Sequence, residues 1–319
     1  MHRETRWSSM CSLVLGIAVM IGLPATGWAH GVVGKRFFPA TVVVEDPFVA
    51  DEAGIVVGHR REPEALSTEV EAEISKRLSR DLAIMLGGTY NVIRPRGESD
   101  GEEAPGPRYG FSNPAFGLRY QFIRDAMHEV AATAAVSVSP GGVGQRRIGR
   151  LSGTTVSPAL QVGKGFGDLP DWADWLKPIA VTASVGADLR TNRNEREEDA
   201  QHSFAWGATV MYSIPYLQSF VKDVGIPWPL NRLFPIVEFN GERMLTGPER
   251  GKNTAFANPG LIWVGRYLEF AVEAQIPLND TSGRHTGFLG MVHFFIDDIA
   301  PNIFTWTPFH GVLGPTQVQ

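Results

Sequence analysis

The sequence predicts an all-β fold, an antiparallel up-and-down transmembrane β-barrel of about twelve strands. Three observations carry that expectation. Segments of roughly 10 residues alternate apolar and polar side chains with the period of two that belongs to strands. The connections between them alternate between compact ones and polar, glycine- and charge-rich ones, which is the two-sided asymmetry of an outer-membrane barrel. The chain also opens on an export signal, yet no later stretch reaches the roughly 18 apolar residues a membrane helix needs.

The signal is read from Arg3 and Arg6, the apolar run Leu13 to Leu23, and the small residues of Gly27-Trp28-Ala29. Cleavage after Ala29 removes residues 1–29 and with them Cys11, the single cysteine. The mature chain then holds no disulfide and no thiolate metal site. The full chain's formal net charge of −5 and the absence of a basic run argue against nucleic acid as a partner. Residues 30–52 read as a periplasmic N-terminal segment, 53–297 as the barrel, and 298–319 as a periplasmic or lumen-facing tail.

Phe37 to Val44 and Ala53 to Val57 are both strand-like, and Asp46-Pro47 and Asp51-Glu52 interrupt them. Only 53–57 is credited as a wall strand, because an even count brings both termini to the periplasmic side. The clearest unit is the hairpin Glu69 to Arg94. Glu69, Glu71, Glu73, Ser75 and Arg77 share one face, and Val70, Ala72 and Ile74 the other; after the turn at Ser79-Arg80-Asp81 the apolar face resumes with Leu82, Ile84, Leu86, Tyr90 and Val92. Residues 94–113 read as a long solvated loop. Further apolar faces follow: Phe116 to Phe122, Val130 to Val138, Val156 to Val162, Ile179 to Leu189, Phe204 to Tyr212, Val237 with Phe239, Leu268 to Ile276, and Phe288 to Ile296. Ala255 to Val264 is a weaker strand. Tyr90, Tyr120, Trp206, Tyr212, Trp263 and Tyr267 stand near strand ends, where interfacial aromatic girdles belong.

The compact connections are 79–81, 124–127, 167–178, 214–232 and 265–267; the polar set is 94–113, 140–153, 191–202, 243–253 and 279–286. The first set is expected on the periplasmic side and the second outside the cell. The connection 214–232 departs from the length rule but keeps an apolar, Pro- and Trp-containing character.

Asn113-Pro114-Ala115-Phe116-Gly117-Leu118-Arg119-Tyr120, the run Ser157 to Gly167, and Pro235-Ile236-Val237-Glu238-Phe239-Asn240-Gly241 resemble exported barrels of the group named for a MetA-pathway of phenol degradation. The resemblance implies a Gram-negative outer-membrane barrel with a transport role and carries over no catalytic residue. The chain departs from the commonest barrel ending, since a tail follows Phe294-Phe295.

In a barrel the polar face lines the lumen. The candidate lining residues are Glu69, Glu71, Glu73, Arg77, Arg119, Gln121, Glu129, Asp188, Arg190, Glu238, Glu242, Glu269, Glu273 and His293. Carboxylates facing a confined passage attract cations, so the expected function is passive transport of a small solute through an acidic lumen. The alternative is a structural or scaffold barrel whose lumen is packed with Glu–Arg pairs. A lipid hydrolase is the enzymatic rival. His202-Ser203 sits at a strand rim, but adjacent strand residues point to opposite faces. Gly163-Lys164-Gly165-Phe166-Gly167 reads as a strand-end turn. A copper chelate at a mature His30 is the weakest reading. No cofactor or metal is expected; the expected partners are outer-membrane lipid and an unidentified small solute.

Overall fold

The computed structural model describes residues 31–62, 65–96, 106–148, 151–191, 201–304 and 306–308. The signal, His30, residues 97–105 of the loop 94–113 and most of the loop 191–202 lie outside the described residues.

Twelve strands close into an antiparallel barrel: β1 Glu52–Arg61, β2 Ala65–Arg77, β3 Leu82–Pro95, β4 Ala115–Asp125, β5 Val130–Ser139, β6 Thr155–Gly165, β7 Ile179–Arg190, β8 Ser203–Tyr212, β9 Leu233–Met244, β10 Asn253–Val264, β11 Leu268–Pro277 and β12 Gly287–Phe295. Each pairs with its sequence neighbours, and β12 closes on β1 with Phe288 opposite His59 and Phe295 opposite Glu52. Closure leaves no unpaired edge, the condition for strands to stand in lipid. A short strand, Arg108–Phe111, pairs with β3 from Tyr90 to Ile93 and continues the line of β4. Part of the expected solvated loop 94–113 is thus wall.

The alternation does what period two requires. Ile55, Val57, Leu86, Phe116, Leu118, Leu160, Val185, Val210, Val272 and Phe288 all face outward and are exposed, an apolar belt around the barrel. Their neighbours in sequence face inward. A soluble protein could not carry so continuous an exposed apolar surface; lipid can cover it.

The connections sort into two ends. One end carries 78–81, 126–129, 166–178, 213–232 and 265–267, together with the start of β1 and the end of β12. The other carries 96–114, 140–154, 191–202, 245–252, 278–286 and a tight turn after Arg61, closed by the Glu62 N–H donating to the Ala65 carbonyl at 2.8 Å. The strand expected at 53–57 is longer, running from Glu52 to Arg61.

One expectation is overturned. Residues 30–52 do not form a segment outside the barrel: the described part runs through its interior. Val33, Phe38, Val44, Phe48, Val49 and Ala50 are buried. Val33, Phe38 and Phe48 join one core with Ala131, Ala180, Met211, Phe234, Ile236, Ile262, Ala271 and Met291 of the wall. The physical reason is the cluster of large apolar side chains, Phe234, Ile236 and Ile262, on the inward face toward the short-connection end. Water there would wet Phe234, Ile236 and Ile262; the segment covers them instead, at about 1.5–3 kcal/mol for each large side chain buried.

Candidate functional site

The N-terminal segment begins with a two-rung hairpin, Val32–Val33 against Arg36–Phe37. Gly34 takes φ +61, and a side chain there would collide with the Ala126 carbonyl, so only glycine fits. Arg36 is 0% exposed. Its Nε donates to Glu129 Oε2 at 3.0 Å, its other nitrogens reach the carbonyls of Pro178 (2.9 Å) and Lys177, and its guanidinium stacks 3.8 Å from the Tyr216 ring. Tyr216 Oη and the Gly167 N–H also donate to Glu129. Every partner that Arg36 and Glu129 gather in this latch comes from a connection at the same end of the barrel. Removing one partner of such a buried pair costs about 3–5 kcal/mol.

Further in, the chain turns at Thr41 to Val44. No strand partner takes the backbone donors there; Glu238, itself 0% exposed, does. Its Oε1 accepts from the Val42 N–H at 2.8 Å, and its Oε2 accepts from Val43 at 2.9 Å and Val44 at 2.7 Å. Glu269 accepts from the Ala40 N–H at 2.9 Å. Glu45 receives Arg119 at 2.7 Å and Gln161, while the Pro47 carbonyl receives Gln121 at 3.1 Å and Thr133 at 2.7 Å. The wall makes room for the segment: a Cβ on Gly207 would lie 2.8 Å from Val44, and one on Gly163 3.0 Å from Pro47.

The structure distributes the fourteen predicted residues over five places. Glu238, Glu269, Glu273, His293, Arg119 and Gln121 surround the segment. Glu273 lies against Glu238, and His293 lies 3.4 Å from Glu52 and 3.9 Å from Glu269. Glu129 and Arg77 stand at the short-connection end. Glu129 is in the 126–129 turn at φ 51, not on a strand face, and Arg77 pairs with Asp51 and Asp297, each at 2.8 Å. Glu71 and Glu73 line a narrow gap between the segment and β1–β2. Asp188 and Glu242 line a chamber toward the other end, and Glu69 and Arg190 lie on the upper wall at the register of Gly58 and Thr155. Two carboxylates of the middle layer, Glu238 and Glu269, serve the segment's backbone.

Arg36, Glu45, Asp46, Pro47 and Tyr216 were absent from the sequence-based set. One signal could have found them. Gly163, Gly165 and Gly167 are spaced by two; the first two stand within β6, and Gly167 is in the turn that follows it. Gly163 and Gly165 lie on the inward face of β6, and all three leave space for Pro47, Phe38, Arg36 and Glu129. Glycine repeated on one face of a strand marks close approach by another chain segment.

Two cavities flank the segment. The chamber has a volume of about 760 Å³ and has Val43 and Glu45 in its floor. The gap, about 250 Å³, shares those two residues and adds Asp46, Glu52, Glu71, Glu73, Ser75, Arg119 and His293.

No protein-family model matches the sequence, and no curated protein does. Solved structures do match. An outer-membrane channel from Pseudomonas putida F1 superposes with a TM-score of 0.53 at 10% identity, covering 85% of this chain and 99% of that one. The fold is that of an outer-membrane β-barrel. The NanC porin aligns with a TM-score of 0.46 at 8% identity over 76% of this chain and 98% of its own. LpxR from Salmonella typhimurium aligns with 0.43 at 11% over 76% and 99%. The resemblance to the phenol-degradation group rests on the quoted residues alone.

Proposed function

We propose that the chain is an outer-membrane channel that passes a small solute passively, with its own N-terminal segment as the constriction. The carrying observation is that Val43 and Glu45 of the segment line both cavities, one on each side of it. Five carboxylates border the gap, against Arg119 and His293, so cations are the favoured class of permeant. The apolar belt faces lipid. The long connections lie outside the cell and both termini in the periplasm, the usual arrangement of such barrels.

Planar-bilayer recording tests the reading. Cation-selective steps that weaken when Glu71 and Glu73 become Gln support it; silence or anion selectivity overturns it. The second reading, a non-conducting scaffold barrel, draws on the depth of the Arg36 latch, and silence would favour it. A hydrolase finds little support in the geometry. Ser203 is buried on the inward face, away from lipid, and His202 Nδ1 accepts the Arg190 N–H at 3.1 Å.

A further inference from the structure

The outward face of the barrel carries two hollows toward the long-connection end, of about 340 Å³ and 460 Å³, and Phe204, Arg243 and Gly251 line both. Period two fixes the facing. Gly207 looks inward at Val44 and Glu242 into the chamber, so Trp206 and Arg243 look out. Phe204, Arg243 and Asn253 form one row across β8, β9 and β10, and Trp206 and Gly241 belong to the next row toward the membrane centre. The Trp206 ring lies against that glycine, where a Cβ would come within 2.8 Å of its carbons. The connection 245–252 brings Arg250 to the hollow that Arg243 and Leu245 line. Among the described residues, neither guanidinium has an ion-pair or hydrogen-bond partner, and no carboxylate lines either hollow. Glu249 of the same connection is already paired with Lys252 at 2.7 Å. Height decides what faces the two arginines. Leu233 and Trp263, opposite each other at the short-connection end, mark one border of the apolar belt. Arg243 is ten residues further along β9, about 33 Å along the strand and about 25 Å along the membrane normal at a barrel's usual tilt, which is the height of the lipid-facing band. The hollows therefore stand at the level of lipid phosphates, with Phe204 and Trp206 on the side of the acyl chains.

We propose that these outward hollows bind one phosphate-bearing membrane lipid, its phosphate between Arg243 and Arg250 and the first part of its acyl chains against Phe204 and Trp206. Guanidinium groups present forks of donors that match phosphate oxygens, and these two have no competing acceptor. The surface runs on without a break into the apolar belt, so the occupant is a lipid and not a free anion. With the long connections outside the cell, it is a lipid of the outer leaflet. The proposal goes beyond the channel reading and stands whether or not the barrel conducts.

Native mass spectrometry of the folded full barrel, released from detergent micelles, provides the test, with dimyristoyl phosphatidic acid as probe. The controls are dimyristoyl phosphatidylcholine, which has the same chains and no net charge, and inorganic phosphate. The expected result is one phosphatidic acid retained at concentrations where neither control is. Its apparent Kd rises about tenfold in Arg243→Gln and in Arg250→Gln, about threefold in Trp206→Ala, and not in Lys252→Gln. Heat-modifiable migration shows that each variant is folded, and the comparison of the two lipids on the unaltered barrel decides even where a variant is not. Equal retention of the two lipids overturns the proposal, as does undiminished retention in R243Q and R250Q. An equal loss in K252Q overturns it by marking a general effect of charge. Inorganic phosphate held as tightly as the lipid overturns it by marking an anion site without a lipid.

Discussion

Val42-Val43-Val44 and Ile55-Val56-Val57 are nearly the same peptide and have opposite fates. The second is a wall strand: Ile55 and Val57 face lipid, Val56 faces in, and the backbone pairs on both sides with β2 and β12. The first is a turn inside the barrel whose three N–H groups converge on one carboxylate. β-propensity is the same in both. What differs is where the backbone donors find acceptors, and buried donors must find them. Pro39 and Pro47 flank the first stretch and deny it a continuous ladder. Glu238 then supplies what a neighbouring strand would have.

The contrast can be broken from either side. Deleting residues 31–50 has the largest expected effect: a barrel that still shows heat-modifiable migration and conducts severalfold more current, as measured in planar bilayers. An unchanged conductance would show that the segment does not set the constriction. Next is Arg36→Ala, which leaves Glu129 and two carbonyls without their cation and costs about 3–5 kcal/mol of segment docking. Faster cleavage within 31–51 by a protease added from the side of the termini is the readout.

On the wall, Val57→Arg places a charge on the lipid face, where a midplane position costs about 2–4 kcal/mol. Reversible unfolding in bilayers by denaturant measures it, and the segment's Val43→Arg, beside the wet chamber, is expected to cost clearly less. Glu238→Gln keeps the shape but loses the charge that three N–H donors face, for an expected loss of about 1–3 kcal/mol in segment docking, read by the same protease assay. The smallest effect is Lys252→Gln in an external loop. Its pair with Glu249 is half exposed, and the expected change in unfolding free energy is within about 1 kcal/mol.

The hairpin of β2 and β3 shows how far the sequence is legible. Glu69 to Arg77 and Leu82 to Val92 alternate without interruption, so faces, turn and strand length follow from period two alone. Gly58 to Arg61 was harder to place, because the residues that continue β1 to its turn are as polar as a loop. The roles of the inward carboxylates were harder still. Glu238 looks like Glu242 in sequence, four residues apart on the same face. The first caps a buried turn and the second lines a chamber.

By itself the sequence determined the barrel, its strand faces and the asymmetry of its ends, because those depend on the covalent alternation of side chains along a strand and on the polarity each face can tolerate. Only the tertiary structure decided what fills the barrel. Which carboxylate meets water and which meets a backbone N–H depends on a segment some two hundred residues away in sequence, Val42 from Glu238. No local pattern encodes that distance. The interior was set by the need to cover Phe234, Ile236 and Ile262 and to satisfy every buried donor.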